Sequence, residues 1–361
     1  MDASIFLINS LQNGGAERVV VNQAEELVKR GIKVFIIMLY DKQCYKVDNN
    51  IEILTLYKQR SGLLKILSIP VITSKLNKEI LRIEKNYKIV LMTVHLPYAH
   101  IVCRFSRYTK RFIYVMHNPQ YQFCRSESFF FRKKISFLYD YQKIVAVSHG
   151  VKNELLEEYD LKTDWIRTIY NPINFNEIEK MARNRIENSI IDGKYILFVG
   201  RLTVQKRIDR LLTAYKLSEL YRTHKLVILG VGEQKTFLQN LCEELGICNY
   251  VEFMGWKNNV YKYMKQADLL VCSSDYESFG MVIAEALYCG CKVVSTNCKY
   301  GPNEILQGTF SKYLSELTPE SLAEVMKNAI VHYPDRKTQL VQKFDVIKIV
   351  DDYLKVYQDW C

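Results

Sequence analysis

Residues 3–40 read ASIFLINSLQNGGAERVVVNQAEELVKRGIKVFIIMLY. Ile5 to Ile8 is a short apolar run of strand length. Asn9 to Gly14 reads as a loop and runs into Gly15. From about Gly15 the apolar residues Val19, Val20, Ala24, Leu27 and Val28 recur at helical spacing. Arg30-Gly31 stops that helix, because glycine readily takes the left-handed backbone that closes many helix ends. Val34 to Leu39 is then apolar at every position. A strand with no polar alternation has both faces buried, as in the middle of a parallel sheet. Strand, helix and parallel strand make the unit from which doubly wound α/β sheets are built.

The same alternation runs outward along the chain. Ile89 to Val94, Arg111 to Met116 and Lys143 to Val147 read as further short strands. Trp165 to Ile169 is strand-like, and Tyr170-Asn171-Pro172-Ile173 is a turn. The polar segment Asn174 to Asp192 reads as a connection between domains. After it the alternation restarts. Tyr195 to Val199, Lys225 to Leu229, Tyr250 to Phe253, Leu269 to Cys272 and Lys292 to Ser295 are predicted strands. Arg207 to Ser218, Gln234 to Leu245 and Met281 to Tyr288 are predicted helices. Phe344 to Asp359 carries Ile347, Ile349, Val350, Tyr353, Leu354 and Tyr357 as a helical apolar set. The expectation is α/β: two doubly wound Rossmann-like domains facing a cleft, 1–170 and 171–343, with helix 344–361 packing back on the first. Ligands in such sheets bind outside the carboxyl ends of the strands.

At 361 residues the length itself fits two domains. A hydrophobic fraction of 48% with 25% charged residues excludes a disordered chain. The longest apolar run, Val34 to Tyr40, is far short of the roughly 18–20 residues that span a bilayer. The first residues hold Asp2 and a four-residue apolar run, which predicts no secretory signal. The ten cysteines include no CxxC pair and read as reduced thiols of a cytoplasmic protein.

The formal net charge of +11 calls for an anionic partner. Residues 1–175 hold 26 Lys/Arg and 16 Asp/Glu, so the excess belongs to the first half. Within it, residues 60–88 carry seven basic and two acidic side chains. Leu63, Leu64, Ile66, Leu67, Ile69, Val71, Ile72 and Leu76 are interleaved with Lys65, Lys75, Lys78 and Arg82. Pro70 divides this segment into a short turn and a helix to about residue 86. Residues 123–143 place Phe129, Phe130, Phe131, Phe137 and Leu138 beside Arg132, Lys133 and Lys134. Basic side chains next to apolar ones have the composition of an interfacial membrane contact. The plainer alternative is a solvated basic face over core residues. Zinc-finger spacing, an RNA-recognition signature and a long basic arm are all missing, which argues against nucleic acid.

Candidate chemistry gathers at strand ends. Glu277-Ser-Phe-Gly-Met-Val-Ile-Ala-Glu285 follows a strand and Ser273-Ser274-Asp275. Eight residues of helix rise about 12 Å, too far for two carboxylates sharing one bond. With a helix start near Gly280, the N–H groups of Phe279, Gly280 and Met281 are unpaired and suit an anion. Glu285, inside the helix, suits a ribose diol. Gly200-Arg201-Leu202-Thr203-Val204-Gln205-Lys206 brings two cations five residues apart onto a strand-end loop, where they can converge on a diphosphate. Gly230-Val-Gly232 lacks the third glycine of a dinucleotide fingerprint, so NAD is disfavoured, while a close backbone approach by a ligand stays open. Gly14-Gly15 suits a similar approach by phosphate or sugar. His117 ends a predicted strand, and His95 is a weaker copy of it. His149, between Ser148 and Gly150, reads as the start of a helix.

Gly14-Gly15-Ala16-Glu17, His117, Gly200-Arg201-Leu202 with Lys206, Gly230-x-Gly232 and the Glu277…Glu285 pair stand in the order and spacing of a known family. The chain resembles the retaining GT-B glycosyltransferases of family 4 over nearly its whole length. Gly14 to Arg18 and Tyr300-Gly301-Pro302-Asn303-Glu304-Ile305-Leu306 look most like bacterial members that extend lipid-linked or surface glycans. Arg207 departs from the pattern, which often has glycine there.

The resemblance implies a nucleotide-sugar donor, UDP-linked, and a lipid-linked glycan acceptor bound by the first domain. Arg201 and Lys206 would hold the diphosphate and Glu285 the ribose. Glu277 and the backbone after it would face the sugar, His117 its reacting face, and Gly15 the phosphate. The base would rest near Gly255-Trp256-Lys257. Asp209 and Asp275 would be structural. No metal or other cofactor is implied, since no DxD motif is present and two cations can serve a leaving diphosphate. The implied location is the inner face of the cytoplasmic membrane, through residues 60–88 and 123–143. Two other classes fit less well: a UDP-sugar epimerase on the same fold, and a non-catalytic nucleotide-sugar or glycan binding module. A GxxxxGK[ST] loop is missing, which argues against a P-loop ATPase.

Overall fold

The computed structural model describes the chain except residues 13, 44, 46, 58–65, 118–128, 160, 187–192, 336 and 361. The chain divides into two compact units, Met1–Pro172 with Phe344–Cys361, and Ile173–Lys343.

In the first unit, β1 (Asp2–Ile8), β2 (Lys33–Tyr40), β3 (Ile51–Tyr57), β4 (Lys88–His95), β5 (Ile113–Met116), β6 (Lys143–Ala146) and β7 (Ile166–Thr168) form one sheet. Its order is β3-β2-β1-β4-β5-β6-β7, and every pairing is parallel. Ile5 to Ile8 and Val34 to Leu39 are buried, as continuous apolar runs require. Each such side chain removed from water stabilises by about 1.5–3 kcal/mol. Helix Gly15–Lys29 lays Val19, Val20, Ala24 and Leu27 into the core. Helix Val346–Trp360 returns to this unit, burying Val346, Ile349, Val350, Tyr353, Tyr357 and Trp360. Arg30 ties the two helices through an ion pair with Asp351 and a 2.8 Å bond to the Ile347 carbonyl.

In the second unit, β8 (Tyr195–Val199), β9 (Lys225–Leu229), β10 (Val251–Gly255), β11 (Leu269–Cys272), β13 (Val293–Thr296) and β15 (Leu314–Ser315) form a parallel sheet ordered β10-β9-β8-β11-β13-β15. Two short strands, β12 (Tyr276–Glu277) and β14 (Lys299–Tyr300), pair separately. Counted within each sheet, the first six strands of both units run 3-2-1-4-5-6. The order reverses between β1 and β4, and again between β8 and β11. In open α/β sheets the loops at such a reversal diverge and leave a crevice at the strand ends.

Several expectations change. Edge strand β3 and helix Pro319–Val331 were not expected. Residues 174–182 are not part of a loose connection. Asn174 caps helix Phe175–Ala182, and Phe175 stacks on Tyr288 at 4.1 Å, so the segment belongs to the second unit's core. In the basic segment, residues 60–65 lie outside the described residues. Pro70 sits in the first turn of helix Ile69–Glu84, where a missing N–H does no harm. Of its apolar residues, Ile72 and Leu76 are buried, whereas Ile66, Leu67 and Val71 are exposed. Residues 123–128 also lie outside the described residues. In helix Phe129–Tyr139, Leu138 is buried and Phe137 exposed.

Candidate functional site

In the second unit, Arg201 and Lys206 lie on the loop leaving β8. Glu277 lies in short strand β12, just after β11, the strand across the reversal in sheet order. The two segments are stitched by backbone. Asp275 N–H donates to the Gln205 carbonyl at 2.9 Å, Ser273 Oγ to the Lys206 carbonyl at 2.8 Å, and Gln205 Nε2 to the Tyr276 carbonyl at 2.9 Å. This places Lys206 Nζ 2.5 Å from Glu277 Oε1, with both side chains largely covered. Burial opposes the charge on Lys206, but Glu277 outweighs it and holds the ammonium above its ordinary pKa.

Glu277 is gripped on one oxygen. Ser274 Oγ donates to Oε1 at 2.7 Å, and Cys272 Sγ approaches the same atom at 3.7 Å. The other carboxylate oxygen accepts none of these bonds and is available to a ligand. The sequence reading kept Lys206 and Glu277 apart, the cation for phosphate by its loop position and the carboxylate for sugar by the family resemblance. The structure couples them into a nearly neutral pair. Arg201 is exposed and makes no ion pair among the described residues; its charge is close enough to oppose the proton on Lys206. Among the two expected phosphate cations, Arg201 therefore carries the uncompensated charge.

Arg207 stands in the left-handed region, φ 46° and ψ 49°, at the start of helix Ile208–Leu217. That backbone suits glycine. Here the guanidinium is clamped, Nε and Nη2 on Asp209 at about 3 Å and Nη1 on Asp275 at 3.3 Å. Buried Arg210 also holds Asp275, at 2.6 Å. Both aspartates thus serve the loop that carries Lys206.

Gly230 acquires a different reason from the one its motif implied. A Cβ there would lie 1.8 Å from the Gly200 carbonyl oxygen, and one on Gly232 would lie 2.2 Å from that of Leu202. The neighbouring backbone loop makes the close approach. Leu202 N–H donates to the Val231 carbonyl at 3.0 Å, and Gly230 N–H to that of Gly255 at 2.9 Å. Gly255 has φ +67°. Trp256 beside it is exposed, its indole bonded to Asn258 at 2.9 Å.

Gly280, φ +94°, starts helix Met281–Tyr288. Phe279 is a core side chain, so only its backbone can serve a ligand. Glu285 lies one turn into the helix and accepts from Tyr261 Oη at 3.2 Å. In the first unit, Gly14 precedes helix Gly15–Lys29 with no side-chain cap, and a Cβ on Gly15 would meet nothing within 4 Å. The first-turn backbone is open there.

His95 ends β4 and His117 follows β5, and the two rings meet. His95 Nδ1 is 2.8 Å from His117 Nε2, and His95 Nε2 is 2.8 Å from Thr93 Oγ1. Burial, with nearby histidines, pushes both pKa values down, that of His117 to about 3. Ser148 caps the helix that begins at His149, accepting from Val151 N–H at 3.2 Å. Sequence reasoning missed Thr93, Cys272, Ser274 and Tyr261 as supports. Ser274 had a signal, its place directly after an apolar strand. Among the described residues no cluster of three His, Cys, Asp or Glu side chains is arranged to hold a metal.

Two family descriptions match in tandem: Glycosyltransferase Family 4 over residues 13–177 and Glycosyl transferases group 1 over residues 181–342. A Campylobacter jejuni relative, N-acetylgalactosamine-N,N'-diacetylbacillosaminyl-diphospho-undecaprenol 4-alpha-N-acetylgalactosaminyltransferase, is 29% identical over 97% of this chain and 98% of its own. The amylovoran biosynthesis glycosyltransferase AmsD of Erwinia amylovora is 25% identical over 84% of this chain and 83% of its own. Among solved structures, Anabaena HepE in complex with UDP superposes with a TM-score of 0.74 at 18% identity, covering 99% of both chains. That likeness speaks for the fold. With both units wound alike and both family descriptions matched in order, the chain belongs to the family 4 glycosyltransferases of the GT-B fold.

Proposed function

We propose that this glycosyltransferase is a retaining, metal-independent enzyme that moves a hexose or N-acetylhexosamine from a UDP-sugar to a lipid-linked glycan acceptor. The observation that carries the reading is the coupled Lys206–Glu277 pair, with Arg201 beside it, at the sheet reversal of the second unit. Transfer breaks a sugar–phosphate bond, and negative charge grows on the departing diphosphate. Arg201 meets that charge directly. Lys206, holding Glu277 through one ammonium N–H, donates another to the incoming phosphate, and the helix start at Gly280 and Met281 adds N–H donors. Groups fixed in place before the charge develops stabilise the transition state more than the ground state. Glu277, gripped on Oε1, offers its other oxygen to a sugar hydroxyl, and Glu285 accepts from the ribose. Retention follows from same-face attack, with the leaving phosphate as base; this step rests on the family resemblance.

The acceptor class is supported by the Campylobacter relative, whose name specifies a diphospho-undecaprenol glycan. The UDP donor is supported by the UDP-bound Anabaena relative. The test is a panel of nucleotide-sugars with lipid-linked acceptors, read as nucleotide release in the presence of EDTA. Arg201→Ala and Lys206→Ala should each lower turnover by about 10²–10³-fold, the scale of losing one preorganised donor to a developing anion. Wild-type turnover in both variants would sink the assignment.

A further inference from the structure

The His95–His117 pair contains more information than its position at the strand ends. Each ring nitrogen of His95 has one partner: Thr93 Oγ1 at Nε2 and His117 Nε2 at Nδ1, both at 2.8 Å. Both rings are neutral at neutral pH, because burial and the neighbouring rings, His100 included, oppose a proton on either. A neutral imidazole has one donor and one acceptor nitrogen. Only two proton arrangements then satisfy the chain of contacts. In one, Thr93 donates to His95 Nε2, and His95 Nδ1–H donates to His117 Nε2. In the other, every bond runs the opposite way.

Thr93 decides between them. It is fully buried in β4, and its hydroxyl bonds only His95 among the described residues. If His95 donated to Thr93, the threonine proton would be buried with no acceptor, which costs about 1–3 kcal/mol. If Thr93 donates, its hydroxyl proton and both ring nitrogens of His95 are paired. His95 then carries its proton on Nδ1, and His117 Nε2 is occupied as an acceptor. The proton of His117 must sit on Nδ1, which has no protein partner among the described residues, on a ring that is half-buried.

We propose that Thr93 and His95 form a relay that fixes His117 as a neutral hydrogen-bond donor through Nδ1, with His95 as its positioning residue. The consequence rests on the transferase reading: His117 offers its Nδ1–H to an oxygen of a bound substrate and does not serve as a base. The charge-free relay leaves the ring's donor direction constant across the working pH range. His100 is not part of it. Its Nε2 donates to the Val94 carbonyl at 3.0 Å and its Nδ1 meets Tyr139 Oη at 3.0 Å.

The test is long-range nitrogen–proton NMR on full-length protein with 15N-labelled histidine, its six rings assigned by single substitutions. The expected result is a His117 ring protonated on Nδ1, acceptor-type on Nε2, and unchanged from pH 8 to pH 5. A ring protonated on Nε2, or one that titrates near pH 6.5, overturns the relay whatever the enzyme's activity. Thr93→Val should return a mixture of tautomers, and Thr93→Ser should restore the single one. In turnover, Thr93→Val and His95→Phe should lower kcat by about 3–10-fold, one net hydrogen bond, with little change in the acceptor's KM. His95→Asn, whose amide can stand where Nδ1–H stood, should recover part of the loss. If Thr93→Val does not fold, the wild-type spectrum and His95→Asn still decide. The correct tautomer in a protein inactive with every donor would overturn the transferase reading and leave the relay standing.

Discussion

At the residue scale, three histidines shielded from water, His95 and His100 buried and His117 half-buried, make the first unit sensitive to acid. His100 is pushed down to about 4 and His117 to about 3 by burial, and His95 is lowered by the same cause. In the unfolded chain each ring takes a proton near its ordinary pKa of about 6.5. Above that value neither state binds the proton, and stability does not depend on these rings. Below it the unfolded state binds protons that the folded state refuses, so stability falls as pH falls. The slope is about 1 kcal/mol per pH unit for each ring, down to its folded pKa. Trp165 and Trp360 meet edge to face at 6.1 Å within this unit and report its unfolding once Trp256 is replaced by Phe. The urea midpoint of that signal should drop between pH 7 and pH 5 and drop less in His100→Asn, measured relative to each variant's own value at pH 7. A flat wild-type midpoint would refute the account. At this scale the sequence was a partial guide. Arg201, Lys206, Glu277, Glu285 and His117 stood out because strand-end positions and residue chemistry are local signals. The pairing of Lys206 with Glu277, 71 residues away, depends on which strands become neighbours, and no local signal carries that. Arg207 is the converse case. Its departure from the family pattern was visible, but its left-handed backbone and its clamp on two aspartates were not.

At the element scale, the loops after β8, β9 and β10 work as one layer, and glycine is what lets them close. Gly230 has φ +150°, and any Cβ would lie inside the Gly200 carbonyl. Since the obstacle is backbone, a rotamer change cannot relieve it. Gly230→Ala should therefore destabilise the second unit by about 1–3 kcal/mol or more through overpacking. For a unit of this size that is roughly 2–4 °C in Tm per kcal/mol. Gly15→Ala is the control. Its Cβ meets nothing, it opens a helix, and alanine restricts the unfolded chain, so stability should hold or rise. Calorimetry of the two variants checks the contrast, and equal Tm values would remove the close-approach explanation. Most elements were legible because central parallel strands are continuous apolar runs. Edge strand β3, Ile51–Tyr57, is half-exposed and mixed in composition, and that diluted its signal. Residues 174–182 misled for a related reason. The helix is polar on one face, and its apolar contacts, Phe175 on Tyr288 among them, lie far along the chain.

At the scale of the whole molecule, the net charge of +11 becomes a question of where an anionic surface could be met. No helix among the described residues is long and apolar enough to cross a bilayer. The basic first half instead shows apolar side chains set among cations. Ile66 and Leu67 are 62% and 63% exposed, and Val71 and Leu81 are also open, on the segment that carries Lys75, Lys78 and Arg82. Phe105 and Phe137 are exposed together at 5.9 Å, with the Arg104 guanidinium 5.0 Å over the Phe137 ring. Water gains nothing from exposed aliphatic and aromatic groups, whereas an anionic lipid surface takes up both the apolar groups and the charge. Each lysine near such a surface contributes about 1 kcal/mol, so four contribute on the order of 4 kcal/mol at low salt. Replacing Lys75, Lys78, Lys133 and Lys134 by Gln should then weaken binding to phosphatidylserine-containing vesicles by at least about tenfold, with part of the four-lysine sum lost to screening. Lys75 also bonds the Leu56 carbonyl at 3.0 Å, so a version retaining Lys75 separates charge from local structure. Raising salt to about 0.5 M should shrink the difference, because the screening length falls well below 10 Å. Neutral vesicles should bind wild type and variant alike, through the apolar groups alone. Equal binding of both to the anionic vesicles at low salt would reduce the basic segments to a solvated face, and the charge would then call for an anionic partner other than a lipid surface.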